Sequence, residues 1–242
     1  MTRYQLVVAE SAEELARQAA ETIASTIDLA LGQRDRAQIA LAGGGTPKAT
    51  YAKLGSEHLP WERVDVLLGD ERWVSEGDPA SNARMLRETL LAQGPAQGAR
   101  LHPVPTNLAT PEASAEAYAA LLAQLCSGEP PALDLVLLGL GDDGHTASLF
   151  PGTASLSCVD RSVTVATGKG LERITFTAPV LSAARQVIFL VAGADKRQAL
   201  ERLFDGGEST QRTPARLVKP AGTVLVLADR AAAAGLPALV EA

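Results

Sequence analysis

The stretch Leu135-Val136-Leu137-Leu138-Gly139-Leu140-Gly141-Asp142-Asp143-Gly144-His145-Thr146 is an apolar strand that empties into glycines, two carboxylates and one of only three histidines in the chain. A short apolar run that ends in glycine reads as a buried strand of a parallel sheet, and in an open α/β sheet ligands bind beyond the carboxyl ends of such strands. His145 is therefore the first catalytic candidate.

Outward from this motif the same handover recurs. Arg3 to Ala9 reads as a strand, followed by a helix from Glu13 to Ala30 with a Ser11-x-x-Glu14 capping box and a stop near Gly32. Ile39 to Ala42 is a strand ending in Gly43-Gly44-Gly45-Thr46-Pro47, where Thr46 is expected to cap a helix with Pro47 at its first position. Val64 to Leu68 is a strand ending at Gly69-Asp70-Glu71-Arg72, and Ser81 caps a helix running to about Leu91. Thr110-Pro111 opens a helix to Cys126, and the turn Gly128-Glu129-Pro130-Pro131 leads into the central motif. Beyond it, Val163 to Ala166, Arg173 to Thr177, Gln186 to Ala192 and Thr223 to Ala228 read as strands, with a helix from Ala194 to Phe204. The alternation predicts an α/β fold with an open, mostly parallel sheet and helices on both faces, a Rossmann-like three-layer arrangement. One domain spanning residues 1–242 accommodates it.

Composition narrows the function classes. With 46% hydrophobic and 21% charged residues the chain can bury a sizeable core. A net charge of -6 without any Lys/Arg block argues against a nucleic-acid partner, because phosphate backbones demand a basic stripe. No apolar run approaches a membrane span, and Met1-Thr2-Arg3-Tyr4 leads straight into a strand with no signal-peptide core, so the cytoplasm is the expected location. Cys126 and Cys158 are far apart, with no metal-ligand spacing, and read as ordinary thiols. A monomer is the default expectation, with a dimer open.

Three loops then share one edge of the sheet. Gly43, Gly44, Gly45 and Thr46 offer unhindered N–H groups, a hydroxyl and a helix N-terminus, which suit a phosphate group, although a plain tight turn uses the same residues. Neither a Walker pattern nor G-x-G-x-x-G is present, so a small sugar phosphate fits better than a nucleotide. Asp70-Glu71-Arg72 is a charged cluster after a strand, and Trp73 beside it reads as pocket wall or packing. His145 can act as a base at neutral pH, with Asp143 the nearest carboxylate to fix its tautomer and Asp142 solvated. His58 and His102 read as surface residues without partners. Lys196, in the first turn of a helix, and Arg173, opening a β-branched run, are candidate anion ligands; Lys169 and Arg197 rank below them. No G-x-S-x-G elbow surrounds Ser148, and no second histidine stands at metal-ligand spacing from His145, so neither a serine nucleophile nor a metal is called for.

These segments resemble a known family. Leu41-Ala-Gly-Gly-Gly-Thr-Pro47, Gly69-Asp-Glu-Arg72, Ser81-Asn82, Gly139-Leu-Gly-Asp-Asp-Gly-His-Thr-Ala-Ser-Leu-Phe-Pro151, Arg173-Ile-Thr-Phe-Thr177 and Gly193-Ala-Asp-Lys196 are similar, in order and spacing, to bacterial 6-phosphogluconolactonases of the glucosamine-6-phosphate isomerase superfamily. The resemblance implies a nagB-like fold and cofactor-free hydrolysis of 6-phospho-D-glucono-1,5-lactone, a step of the pentose phosphate pathway. It implies that His145 is the general base supported by Asp143, and that Arg72, with Asp70 beside it in the catalytic set, meets developing charge. Gly43, Gly44, Gly45, Thr46, Arg173 and Lys196 would hold the phosphate, with the division among the cations open. The amino-sugar-phosphate isomerases of the same superfamily are the alternative. They carry a glutamate five residues beyond the motif histidine, where this chain has Phe150. A sugar-phosphate-sensing regulator would need a DNA-reading element, which this sequence does not offer.

Overall fold

The computed structural model describes residues 2–236. Strand β1 (Tyr4–Ala9) leads to α1 (Ala12–Leu31), β2 (Ala37–Leu41), α2 (Gly45–Leu54), β3 (Val64–Leu68), β4 (Asp70–Arg72) and α3 (Asn82–Glu88). Then follow β5 (Arg100–Leu101), α4 (Pro111–Leu125), β6 (Leu135–Gly139), β7 (Val163–Gly168), β8 (Leu171–Phe176), α5 (Ala178–Ala183), β9 (Gln186–Val191), α6 (Arg197–Phe204), β10 (Val224–Asp229) and α7 (Arg230–Ala233). No described helix is long and apolar enough to cross a membrane.

Seven strands form one parallel sheet in the order β1-β10-β9-β6-β2-β3-β5. All five residues of β3 are buried, as are the first four of β6, so both faces of the sheet are covered. From β2 the chain builds outward through β3 and β5; it then returns to β6 on the other flank of β2 and builds through β9 and β10 toward β1. The order reverses between β2 and β6. These two strands pair only through Ile39 with Leu135 and Ala40 with Val136, and a crevice opens beyond that point, as expected at a topological switch.

Side-chain caps mark the starts of α1, α3 and α4. Ser11 accepts the N–H of Glu14 through its hydroxyl, Ser81 that of Arg84, and Thr110 that of Ala113. The Glu14 side chain does not return to the cap; it binds Arg17 and Gln18.

Several expectations are corrected. Thr46 does not cap α2: Gly44, at a φ of +108° that L side chains rarely adopt, turns the chain so that the helix starts at Gly45, leaving Thr46 and Pro47 inside the first turn. Asp70-Glu71-Arg72 is not a loop but strand β4, which pairs antiparallel with β8. With β7, these strands make a separate antiparallel sheet in the order β4-β8-β7, so β7 and β8 do not join the parallel sheet. Arg173 consequently lies within a central strand rather than at a strand's opening. The helix after Ser81 stops at Glu88, short of Leu91. The segment 194–204 is a 3-10 turn, Ala194–Lys196, followed by α6, so Lys196 precedes the α-helix.

Between the two sheets α4 supplies Tyr118, whose ring stacks on Phe176 of β8 while its hydroxyl meets both the N–H and the carbonyl of Leu68 at the end of β3. One buried side chain thus ties the antiparallel sheet to the carboxyl edge of the parallel one. His102 is no free surface residue: its Nε2 lies 2.8 Å from Oδ1 of buried Asp65, which Arg36 also engages at 2.6 Å. His58 is exposed, as expected.

Candidate active site

A cavity of about 230 Å³ opens at the switch point. Its walls come from the glycine loop after β2, from Asp70 and Arg72 of β4, and from Asn82 at the start of α3. The loop after β6 adds His145, the turn between β7 and β8 adds Lys169, β8 adds Arg173, and the segment after β9 adds Lys196. The structure therefore brings His145, Arg72, Asp70, Gly43, Gly44, Gly45, Thr46, Arg173 and Lys196 to one site. Asp143 stands behind His145. Glu71, Trp73 and Arg197 lie elsewhere: Trp73 is half-buried against the core, its indole N–H donating to Ser114, and Arg197 reaches the carbonyl of Ala231.

The loop that carries His145 is held by its own backbone. Gly141 donates its N–H to the His145 carbonyl, and Gly144 donates to Gly141. The Thr146 hydroxyl donates back to the carbonyl of Gly139 at the end of β6, and Arg202 of α6 donates to the carbonyl of Asp142. Within this frame Nδ1 of His145 lies 2.5 Å from Oδ1 of Asp143, which also accepts the His145 backbone N–H at 3.0 Å. A carboxylate in that place accepts, so Nδ1 carries the hydrogen and Nε2 the free lone pair. Burial pulls the imidazole below its ordinary pKa and outweighs the opposing pull of Asp143; the Lys169 charge adds to the lowering. Burial raises the Asp143 carboxyl, but hydrogen bonds from the His145 backbone and ring leave it below its usual value. The pair is a neutral imidazole backed by a carboxylate. Asp142 is 62% exposed, as the sequence reading expected, and stands 3.8 Å from Lys169.

Across the cavity, Arg72 donates through Nη1 to the carbonyl of Ala80 and to Oδ1 of Asn82, both at 2.7 Å, while its buried Nε has no partner among the described residues. Arg173 is buried, donates through Nε to the Gly168 carbonyl and stands 3.8 Å from Asp70. Burial lowers the Arg173 pKa, countered by Asp70 and helped by Arg72. Asp70 is fixed by the Ser148 hydroxyl, which donates at 2.6 Å. Lys169 sits in a two-residue hairpin turn with Gly170, both at positive φ, which carries its ammonium to the cavity rim. Arginines and lysines thus outnumber carboxylates around a void in a chain of net charge -6. Such a focused positive field suits an anionic small molecule.

From sequence Lys169 ranks low, Asn82 enters only as part of a family motif, and Phe150 counts only as the absence of the isomerases' acid. The turn signal Gly168-Lys169-Gly170 and the Ser81 cap were available for the first two; the contacts of Phe150 join distant segments and left no local trace.

The fold and site define an α/β enzyme that handles a small, negatively charged metabolite. The family model of Glucosamine-6-phosphate isomerases/6-phosphogluconolactonase matches residues 10–227, and the chain belongs to that family. A 6-phosphogluconolactonase from Synechocystis is 46% identical over 217 residues, covering 88% of this chain and 90% of its own. The solved structure of a 6-phosphogluconolactonase from Trypanosoma brucei superposes with a TM-score of 0.87 at 31% identity, covering 98% of this chain and all of that one. A monomeric glucosamine-6-phosphate deaminase superposes with a TM-score of 0.80 at 24% identity and 95% coverage, a likeness of fold alone.

Proposed function

We infer that this chain hydrolyses 6-phospho-D-glucono-1,5-lactone to 6-phospho-D-gluconate, a hydrolase step of the pentose phosphate pathway. The observation that carries the reading is a neutral imidazole, tautomer-fixed by Asp143, in a cation-lined cavity of sugar-phosphate size, with a phenylalanine where the isomerases place an acid. His145 Nε2 accepts a proton from water as the water oxygen attacks the lactone carbonyl carbon. Arg72, anchored by Asn82 and Ala80, meets the charge that develops on the carbonyl oxygen. When the tetrahedral intermediate collapses, the bond from that carbon to the ring oxygen breaks, and the imidazolium returns its proton to the departing oxygen. Asp70 orients Arg173. The phosphate is held by the N–H groups of Gly43, Gly44, Gly45 and Thr46 at the start of α2, with Arg173 and Lys196 supplying charge.

The comparison that decides between lactonase and isomerase chemistry is Phe150. Its ring can neither donate nor accept a proton, so ring opening of an amino sugar lacks a participant, whereas lactone hydrolysis lacks none. In this reading the enzyme acts in the cytoplasm as a monomer on a free sugar phosphate, without cofactor or nucleic acid. The test is the rate at which freshly generated 6-phosphogluconolactone disappears with and without the protein, run beside ammonia release from glucosamine 6-phosphate. Acceleration of the first alone is expected; ammonia release without lactone hydrolysis overturns the reading.

A further inference from the structure

Phe150 touches both chemical ends of the cavity without lining it. Its ring centroid lies 4.5 Å from that of the His145 imidazole at an interplanar angle of 35°. On its other side the guanidinium carbon of Arg173 stands 5.3 Å from the same centroid, within cation–π range. The ring rests on the backbone of Gly168, where an added Cβ would fall 2.1 Å from a ring carbon. Three segments distant in sequence, the loop after β6 and the strands β7 and β8, meet on one buried aromatic face.

We propose that Phe150 is a positioning residue that keeps the His145 base dry and seats the Arg173 cation, and that Gly168 is glycine because it seats this ring. The proposal rests on the reading of His145 as the base. The two groups need opposite states: the imidazole must be neutral to accept a proton, and the guanidinium must stay charged and free to meet an anion. A carboxylate at this position would pair with both, protonating the base and occupying the cation. A polar side chain would draw water to the imidazole and remove the burial that favours its neutral form. The aromatic face does neither, and its quadrupole favours the guanidinium where it is.

The charged groups that face the imidazole come from every neighbouring element. They are Asp143 on its own loop, Lys169 on the β7–β8 turn, Asp70 on β4, and Arg173 on β8 behind the ring. Asp143, Lys169 and Asp70 keep their charges when residue 150 is substituted, so a change in titration on replacing the ring reports the ring and the contacts that it makes.

The chain holds only three histidines, so the titration of the His145 Cε1–H can be followed by NMR in the unliganded protein, with exposed His58 and Asp65-bound His102 as internal references. Phe150→Leu should leave the midpoint within about 0.3 pH units of the parent, Phe150→Gln should raise it by about 0.5, and Phe150→Glu by about 1 or more. Gly168→Ala, which changes no charge, should push the ring aside and raise the midpoint as Phe150→Gln does. The acid limb of the lactonase pH profile should follow the same order, and KM for the phosphorylated lactone should rise several-fold in Phe150→Glu as Arg173 is captured. Should Phe150→Glu fail to fold, the Gln and Gly168 variants decide. If both leave the midpoint within about 0.2 pH units of the parent, the ring is packing only and the proposal falls. The midpoint is read without substrate, so failure of the lactonase reading leaves it intact as a test.

Discussion

Glu71 Oε1 accepts the backbone N–H of Asn82 at 2.8 Å, and this bond binds strand β4 to the start of helix α3. The same oxygen accepts the N–H of Arg72, while Oε2 accepts those of Ala83 and the Ser81 hydroxyl, so every strong acceptor direction of the carboxylate meets a donor. Burial pushes the Glu71 carboxyl up and these N–H donors oppose the shift. Strand alternation sends Asp70 and Arg72 to the cavity and Glu71 away from it, where the carboxylate holds the frame on which Arg72 and Asn82 sit. Glu71→Gln would aim an NH₂ group at donors. It should lower stability by about 1–3 kcal/mol and reduce kcat/KM with it. Denaturant unfolding and lactone turnover measure the two; unchanged stability would mean that the helix start is held by Ser81 alone.

Why part of this was legible and part was not follows from the range of the interactions. The stretch from Leu135 to His145 could be read because a buried strand and its terminal glycines are local patterns, and the glycine loop and the His145 loop share an edge because parallel strands send all their carboxyl ends one way. Strand β4 was not readable: three residues with Asp, Glu and Arg have no strand propensity of their own, and only pairing with β8, some hundred residues later, makes them one. The Thr46 cap failed because Gly44 takes the turn before Thr46 is reached. His102 reads as a surface residue in sequence because its partner Asp65 lies on another strand, and the packing of Phe150 is equally hidden because Gly168 and Arg173 come from β7 and β8.

The depressed His145 pKa fixes the sign of the pH dependence. Protonation removes the base, so activity falls as pH drops through the imidazole pKa, which lies below the ordinary value near 6.5; turnover should hold to below that pH before declining. The same group favours the folded state above its unfolded pKa, and that contribution fades as pH falls toward the folded value. Asp143→Asn can donate to Nδ1 and reverse the tautomer, placing the hydrogen on Nε2. A fall in kcat of about 10²–10⁴-fold is expected, with substrate affinity largely kept. A pH–rate profile of the parent and this variant is the check, and near-normal kcat in the variant would remove Asp143 from the mechanism.

Lys196 offers a separable test of the phosphate end. Its ammonium is partly exposed at the cavity and lies 3.1 Å from the exposed Asp195 carboxylate, a weak partner that a dianionic phosphate can displace. Lys196→Ala should raise KM for 6-phosphogluconolactone about tenfold or more, and that for unphosphorylated gluconolactone less than about twofold, because a charge-assisted hydrogen bond to phosphate is lost in one case only. Equal effects on the two substrates would take Lys196 out of the phosphate site.

Gly43 is constrained by what stands over it rather than by its backbone angles. A Cβ there would fall 1.9 Å from Oδ1 of Asn82, the atom that accepts Arg72 Nη1, and Nδ2 of the same amide donates to the carbonyl of Asp70. Gly43→Ala therefore cannot be absorbed at the glycine loop; it must displace a buried amide that positions Arg72. Activity should fall about tenfold or more, since a misplaced charge loses its grip on the developing oxyanion, and stability should fall by about 1–3 kcal/mol as buried partners go unpaired. Asn82→Ala removes the obstacle. In the double variant the two stability losses should sum to less than their separate values, because the alanine methyl then has room, while activity stays low for want of the amide. Strictly additive stability losses would show that Gly43 is sensitive for some reason other than Asn82, and recovered activity in the double variant would show that Arg72 needs no amide to hold it.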